Sequence, residues 1–93
     1  MLEQQIQKKI IDYCHSLGYL TIKTIKTNMN GCPDLLILKD GKTIFCEVKR
    51  HGGVVSELQK YRQNQLIGNG FKSFIVFSLE DFKNKLAFEI DKY

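Results

Sequence analysis

The chain has no tryptophan, a single proline, and three cysteines, Cys14, Cys32 and Cys46, none of them in a Cys-x-x-Cys pair. An odd, scattered set suggests neither a disulfide framework nor a thiolate zinc site; reduced thiols are expected, with Cys46 buried in a strand. His15 and His51 form no group with each other or with the cysteines, which also argues against zinc. No apolar run approaches the roughly 18 residues of a membrane span, and the polar, helix-periodic N-terminus does not resemble a signal peptide. We therefore expect an intracellular protein with no membrane partner. Internal repeats, low-complexity tracts and linkers are also missing.

What is present suits one domain over residues 1–93, with 43% hydrophobic residues to form a modest core. A net charge of +4 and a pI near 9.0 favour an anionic partner. Lys8, Lys9, Lys23, Lys26, Lys39, Lys42, Lys60 and Lys72 are spread along the chain, so any basic patch must be assembled by folding.

The most informative stretch is Gly31 to Lys49. Two apolar runs, Asp34 to Leu38 and Thr43 to Val48, flank Asp40-Gly41, a dipeptide that supplies the positive φ angles of a two-residue hairpin turn. With the turn there, Lys39 pairs with Lys42 and Ile37 with Ile44, and the same count sets Asp34 opposite Glu47. Directly opposed side chains lie about 4.5–5.5 Å apart at Cβ, and like charges there repel. The period of two puts Lys49 on the face of Glu47. Two acids and a lysine make a cation site with a proton-handling group beside it. They equally make a charged strand end whose lysine neutralises its neighbours, and hairpin geometry alone does not choose.

Pro33-Asp34, twelve residues, then Glu47-Val48-Lys49 resembles the PD-(D/E)xK nuclease signature. Glu3 in a first helix, Gly31-Cys32-Pro33-Asp34, the Glu47-x-Lys49 triplet, Ser56-x-x-Gln59 and Gly70 before a last strand are similar in order and spacing to the VRR-NUC (virus-type replication-repair nuclease) family, over about residues 2 to 80. The resemblance implies an α/β fold with a restriction-endonuclease-like core: a central mixed four-stranded sheet flanked by helices, in the order α-β-β-β-α-β-α.

Taken in order, residues 2 to 17 carry Ile6, Ile10, Tyr13, Cys14 and Leu17 on one helical face, ended by Gly18. Glu3 lies along that stripe, either as an N-terminal charge favoured by the helix dipole or, as the resemblance implies, as a third acid at the hairpin. Tyr19 to Ile25 reads as an edge strand and Thr27 to Gly31 as a loop. Leu36 with Phe45 falls on the carboxylate face, and Leu35 with Cys46 and Ile37 with Ile44 on the other, which predicts helices on both sides of the sheet. Ser56 and Gln59 have the spacing of a capping box for a second helix running to about Ile67. The family pattern instead places Gln59 in the active site, orienting Lys49 or the attacking water; one rotamer cannot do both, and the site is the role expected here. Phe71 to Phe77 reads as an inner strand, and Ser78 as the cap of a short helix with Phe82 and Leu86. The tail from Ala87 to Tyr93 alternates Phe88 and Ile90 with Glu89 and Asp91, as an edge strand would.

The resemblance further implies catalysis by Asp34, Glu47, Lys49, Gln59 and Glu3. Asp34, Glu47 and the Val48 backbone carbonyl would hold Mg²⁺ or Mn²⁺, one or two ions per site, with Glu3 completing the shell or helping to hold the second. Hard oxygen ligands suit those ions. Its implied partner is DNA, branched or four-way, in the cytoplasm of a host cell if the chain is phage-encoded. Stand-alone members resemble homodimeric Holliday-junction resolvases, and two symmetric nicks do call for a twofold dimer of a one-site domain. Lys26, Asn28, Asn30, Arg50, His51, Lys60 and Arg62 are the candidates for DNA contact, each of them also readable as an ordinary turn or solvated residue. Competing readings are a nuclease of flap or duplex specificity, a non-catalytic DNA-binding accessory module, and a structural domain with an ordinary ion-pair cluster.

Overall fold

The computed structural model describes residues 1–92, and the side chains of residues 1–89. Its elements are α1 (Glu3–Ser16), β1 (Leu20–Lys23), β2 (Leu35–Lys39), β3 (Lys42–Val48), α2 (Glu57–Gly68), β4 (Lys72–Val76) and α3 (Leu79–Lys92), in the expected order. The strands form one mixed sheet ordered β1-β2-β3-β4, antiparallel between β1 and β2 and between β2 and β3, parallel between β3 and β4.

The hairpin has the register its turn dictates. Asp40 and Gly41 adopt φ of 53° and 76°, both left-handed, so the turn twists with its strands. Lys39 faces Lys42, Ile37 faces Ile44 and Leu35 faces Cys46. Alternation then sends Leu35, Ile37, Ile44, Cys46, Val48, Phe74 and Val76 to one face, all of them buried. The core they form is closed by Ile6, Ile10 and Cys14 of α1 and by Phe82 and Leu86 of α3. In contrast, α2 has no buried side chain; as the crossover between parallel strands it rests on β4 from the other side, with Gln63 Nε2 donating to the Ser73 carbonyl at 3.0 Å. Cys14 and Cys46 are buried thiols, and burial pushes Cys14 up to about 11 and Cys46 higher still, so both stay protonated.

Phe82 is fully buried and meets Tyr13 and Phe74 edge to face, with ring centroids 6.4 and 6.1 Å away. Phe82→Ala is expected to cost about 3–5 kcal/mol through lost burial and the cavity left behind. Urea denaturation should show the midpoint falling at an unchanged slope.

Two expectations fail at helix ends. Leu17 is not on the buried stripe; it is the C-cap residue of α1 and 39% exposed. Residues 87–92 are helical rather than an edge strand, because α3 continues to Lys92. Neither Gly nor Pro interrupts the chain after Ser78, and Phe82 and Leu86 already anchor a helical stripe on the core, so the period of two in the tail is overridden. Tyr93, the end of that expected strand, lies outside the described residues. Among the described residues no helix is long and apolar enough to cross a membrane.

Candidate active site

The open end of the hairpin is pinned by backbone contacts. Thr24 N–H donates to the Asp34 carbonyl at 2.8 Å, and its hydroxyl donates to the carbonyl of Pro33. Gly31, with φ of 79°, presses against α2: a Cβ there would sit 2.7 Å from Leu58 Cγ. The approach to Asp34 is therefore wedged between β1 and α2. Thr24, which sequence reasoning passed over, fixes the start of β2 from its neighbour; only the strand pairing identifies it.

Asp34 Oδ2 accepts from Val48 N–H at 2.9 Å, tying the start of β2 to the end of β3. Beyond Val48 the parallel ladder continues, with Lys49 N–H donating to the Val76 carbonyl at 2.9 Å. Lys49 thus stays in extended register and keeps its place on the Glu47 side. Glu47 is 4% exposed, and its Oε2 has no hydrogen-bond partner. Its carboxyl is pushed up to about 8, first by burial, then by the hydrogen bond and charge of Asp34 and by the charge of Glu3; the Lys49 ammonium acts in the opposite sense. Asp34, Lys49 and Glu3 therefore all act on Glu47, near the carboxyl end of β3.

No ion pair within 4.0 Å joins Lys49 to either acid. Lys49 does not neutralise the acids by direct contact; the hydrogen bond between Asp34 and Glu47 relieves their repulsion instead. A buried carboxyl, Glu47, beside a half-buried one, Asp34, suits a hard divalent cation. The fit is narrower than expected, however. Among the described residues no three His, Cys, Asp or Glu side chains group tightly enough to hold a metal ion, so half-buried Glu3 acts on Glu47 through its charge rather than closing a three-acid cluster.

Gln59 does not take the expected orientation. Its backbone N–H donates to Ser56 Oγ at 3.1 Å and its side-chain Oε1 accepts from Ser56 N–H at 3.0 Å, a complete capping box. The local partner wins because closing a three-residue loop orders little extra chain. Arg62 is also engaged within the chain, donating from Nε to the Asn30 carbonyl and from Nη1 to Gln65 Oε1, both at 2.8 Å. It holds the β1–β2 loop on α2 instead of pointing freely to solvent. Lys60 pairs with Glu57 at 3.1 Å on the surface. Lys26, Asn28, Asn30, Arg50 and His51 are exposed. One buried polar residue of α1 was not expected: Gln7, one helical turn beyond Glu3, is 8% exposed with an unpartnered Oε1. A glutamine at the i+4 position from Glu3 was the available signal.

No family model matches the chain, and no curated protein does. Among solved structures, a chain described as a VRR_NUC domain superposes with a TM-score of 0.82 at 26% identity, covering 91% of this chain and 94% of that one. The fold is that of a VRR_NUC domain. Such an alignment leaves no large part of either chain unmatched, so the mixed sheet, the helices and the hairpin bearing Asp34 and Glu47 all lie within a nuclease-type VRR_NUC architecture.

Proposed function

We propose that this VRR_NUC domain is a Mg²⁺- or Mn²⁺-dependent endodeoxyribonuclease that nicks branched DNA as a homodimeric Holliday-junction resolvase. The observation that carries this reading is buried Glu47 beside half-buried Asp34, with Lys49 acting on Glu47 by its charge, in a nuclease-type fold. Asp34, Glu47 and the Val48 carbonyl would hold the cation, and Glu3 would contribute negative charge from α1. A divalent ion there supplies charge stabilisation at the scissile phosphate and acidifies bound water. Asp34 keeps its geometry through the Val48 N–H, leaving its remaining lone pairs for the site. Lys49, held in extended register but outside direct ion pairing, would take the proton of the attacking water as a neutral amine or, as an ammonium, stabilise charge on the phosphate.

The substrate follows from symmetry. Two copies of a one-site domain related by a twofold axis place two nicks symmetrically, as a four-way junction requires. DNA contact would come from exposed Lys26, Asn28 and Asn30 on one side and Arg50 and His51 on the other, addressing phosphates rather than base edges. The work would be done wherever DNA is, inside the cell.

Labelled single strands, duplex, flap and four-way-junction DNA, incubated with the protein and Mg²⁺ or Mn²⁺, distinguish the readings. Paired symmetric nicks confined to the junction are expected. Cuts on flap or duplex alone would keep the nuclease and change its substrate. Binding without any cut would make it a non-catalytic accessory module.

A further inference from the structure

Large apolar side chains are least covered at the end of the sheet that carries the acids. Ile25 is 88% exposed and Val54 82%, above every other large apolar side chain among the described residues. Ile25 follows β1 and Val54 follows β3, the two strands that end beside the start of β2, where Asp34 stands. Single exposed apolar residues are ordinary, but Ile25 is surrounded in sequence by exposed Lys23, Lys26, Asn28 and Asn30, the side chains that meet phosphates.

The loop that carries Ile25 is tied down along its length. Thr24 N–H donates to the Asp34 carbonyl at 2.8 Å, and the Thr24 hydroxyl donates to the carbonyl of Pro33. Farther on, Thr27 Oγ1 donates to the Met29 carbonyl and Arg62 Nε to the Asn30 carbonyl, both at 2.8 Å. Ile25 has no part in the core, so these bonds hold out to solvent a stiff, β-branched side chain that the fold does not use. Its place relative to the acids follows from the bonding. Opposed Cα atoms of a hydrogen-bonded antiparallel pair are about 5.5 Å apart and consecutive ones about 3.8 Å, so Ile25 Cα lies within about 9 Å of Asp34 Cα. That is roughly two to three base steps of about 3.4 Å each.

We propose that Ile25 is a specificity residue for branched DNA, a wedge that enters an opened base step beside the scissile phosphate while Lys26, Asn28 and Asn30 hold the neighbouring phosphates. Apolar wedges must unstack the step they enter, and the cost is least where pairing is already interrupted, as it is at a branch. An isoleucine near the acids therefore favours junction over duplex without reading any base edge, which phosphate contacts cannot do. A second copy of the chain is a poorer occupant, because Lys23 and Lys26 would then meet a partner that also carries a net charge of +4. The proposal rests on the DNA-cleaving reading of the acid site.

The test is binding, without divalent metal, to duplex and to four-way-junction DNA that carries a base analogue, fluorescent when unstacked, at successive positions from the branch. Wild type, Ile25→Ala and Ile25→Leu are compared with Leu20→Ala, which removes a 60% exposed apolar side chain at the far end of β1. Wild type and Ile25→Leu should raise the fluorescence at one position near the branch, and Ile25→Ala should not. Ile25→Ala should also bind the junction about tenfold more weakly, the scale of one lost apolar contact, with duplex affinity and melting temperature unchanged. An equal fluorescence rise with Ile25→Ala, or an equal loss of junction affinity in Leu20→Ala, would overturn the proposal. A changed oligomeric state of DNA-free Ile25→Ala in sedimentation would overturn it too, making Ile25 a contact between copies. Wild type that binds and cuts the junction with no fluorescence change at any position defeats the wedge alone. Wild type that binds no DNA defeats the nuclease reading, and the wedge with it.

Discussion

Lys49→Ala is expected to lower the DNA cleavage rate by at least about 10³-fold, the scale on which loss of a proton-transfer group or of charge stabilisation is felt. The effect should fall on turnover alone. Lys49 is half-buried and makes no ion pair within 4.0 Å among the described residues, so its removal breaks no salt bridge there. Its backbone bond to Val76 is untouched by the substitution. Asp34→Asn should be equally inactive, and it is a cleaner variant than Asp34→Ala because an amide oxygen can still accept from Val48 N–H. Single-turnover assays beside melting curves check both points. Turnover near wild type in both variants would remove the acid–lysine cluster from the chemistry.

The second large effect concerns pH. Glu47 stands at about 8 in the folded protein against an ordinary 4.5, so the folded state keeps a proton that the unfolded chain releases. Its contribution to stability is complete below the unfolded value and is lost as pH rises from about 4.5 through about 8. The metal-free protein should therefore lose on the order of a few kcal/mol across that window. Glu47→Gln, neutral at every pH, should flatten the decline. Saturating Mg²⁺ or Mn²⁺ should also oppose it, since a cation binds the ionised carboxylate and stabilises the folded form by mass action. Urea denaturation at several pH values, with and without metal, measures all three. A wild-type profile that is flat, or that rises over this window, would contradict the assignment of a buried, protonated Glu47.

The hairpin was the most legible part of the chain. Asp40-Gly41 allows one turn geometry, and alternation on either side of it leaves one register, so the convergence of Asp34, Glu47 and Lys49 followed from counting. Elements with two consistent readings were where sequence reasoning failed. The tail offered both a period of two and a helical stripe, and contact of Phe82 and Leu86 with the core chose the helix. Gln59 matched both a cap and a site residue, and the local hydrogen bonds with Ser56 prevailed. Arg62 looked like a free cation because nothing in the sequence announces the Asn30 carbonyl 32 residues away. Gln7 was passed over for a different reason. A scan for apolar periodicity passes over a glutamine, and its burial becomes apparent only when α1 is laid on the sheet.

The most direct single measurement is a calorimetric titration of the protein with Mn²⁺ at pH 7 in two buffers of different ionisation enthalpy. If the acid pair is the cation site, binding must displace the proton that Glu47 holds, and the buffer dependence should report release of about one proton per cation. Absence of binding, or binding with no proton released and no loss in Glu47→Gln, would contradict the Asp34–Glu47 centre.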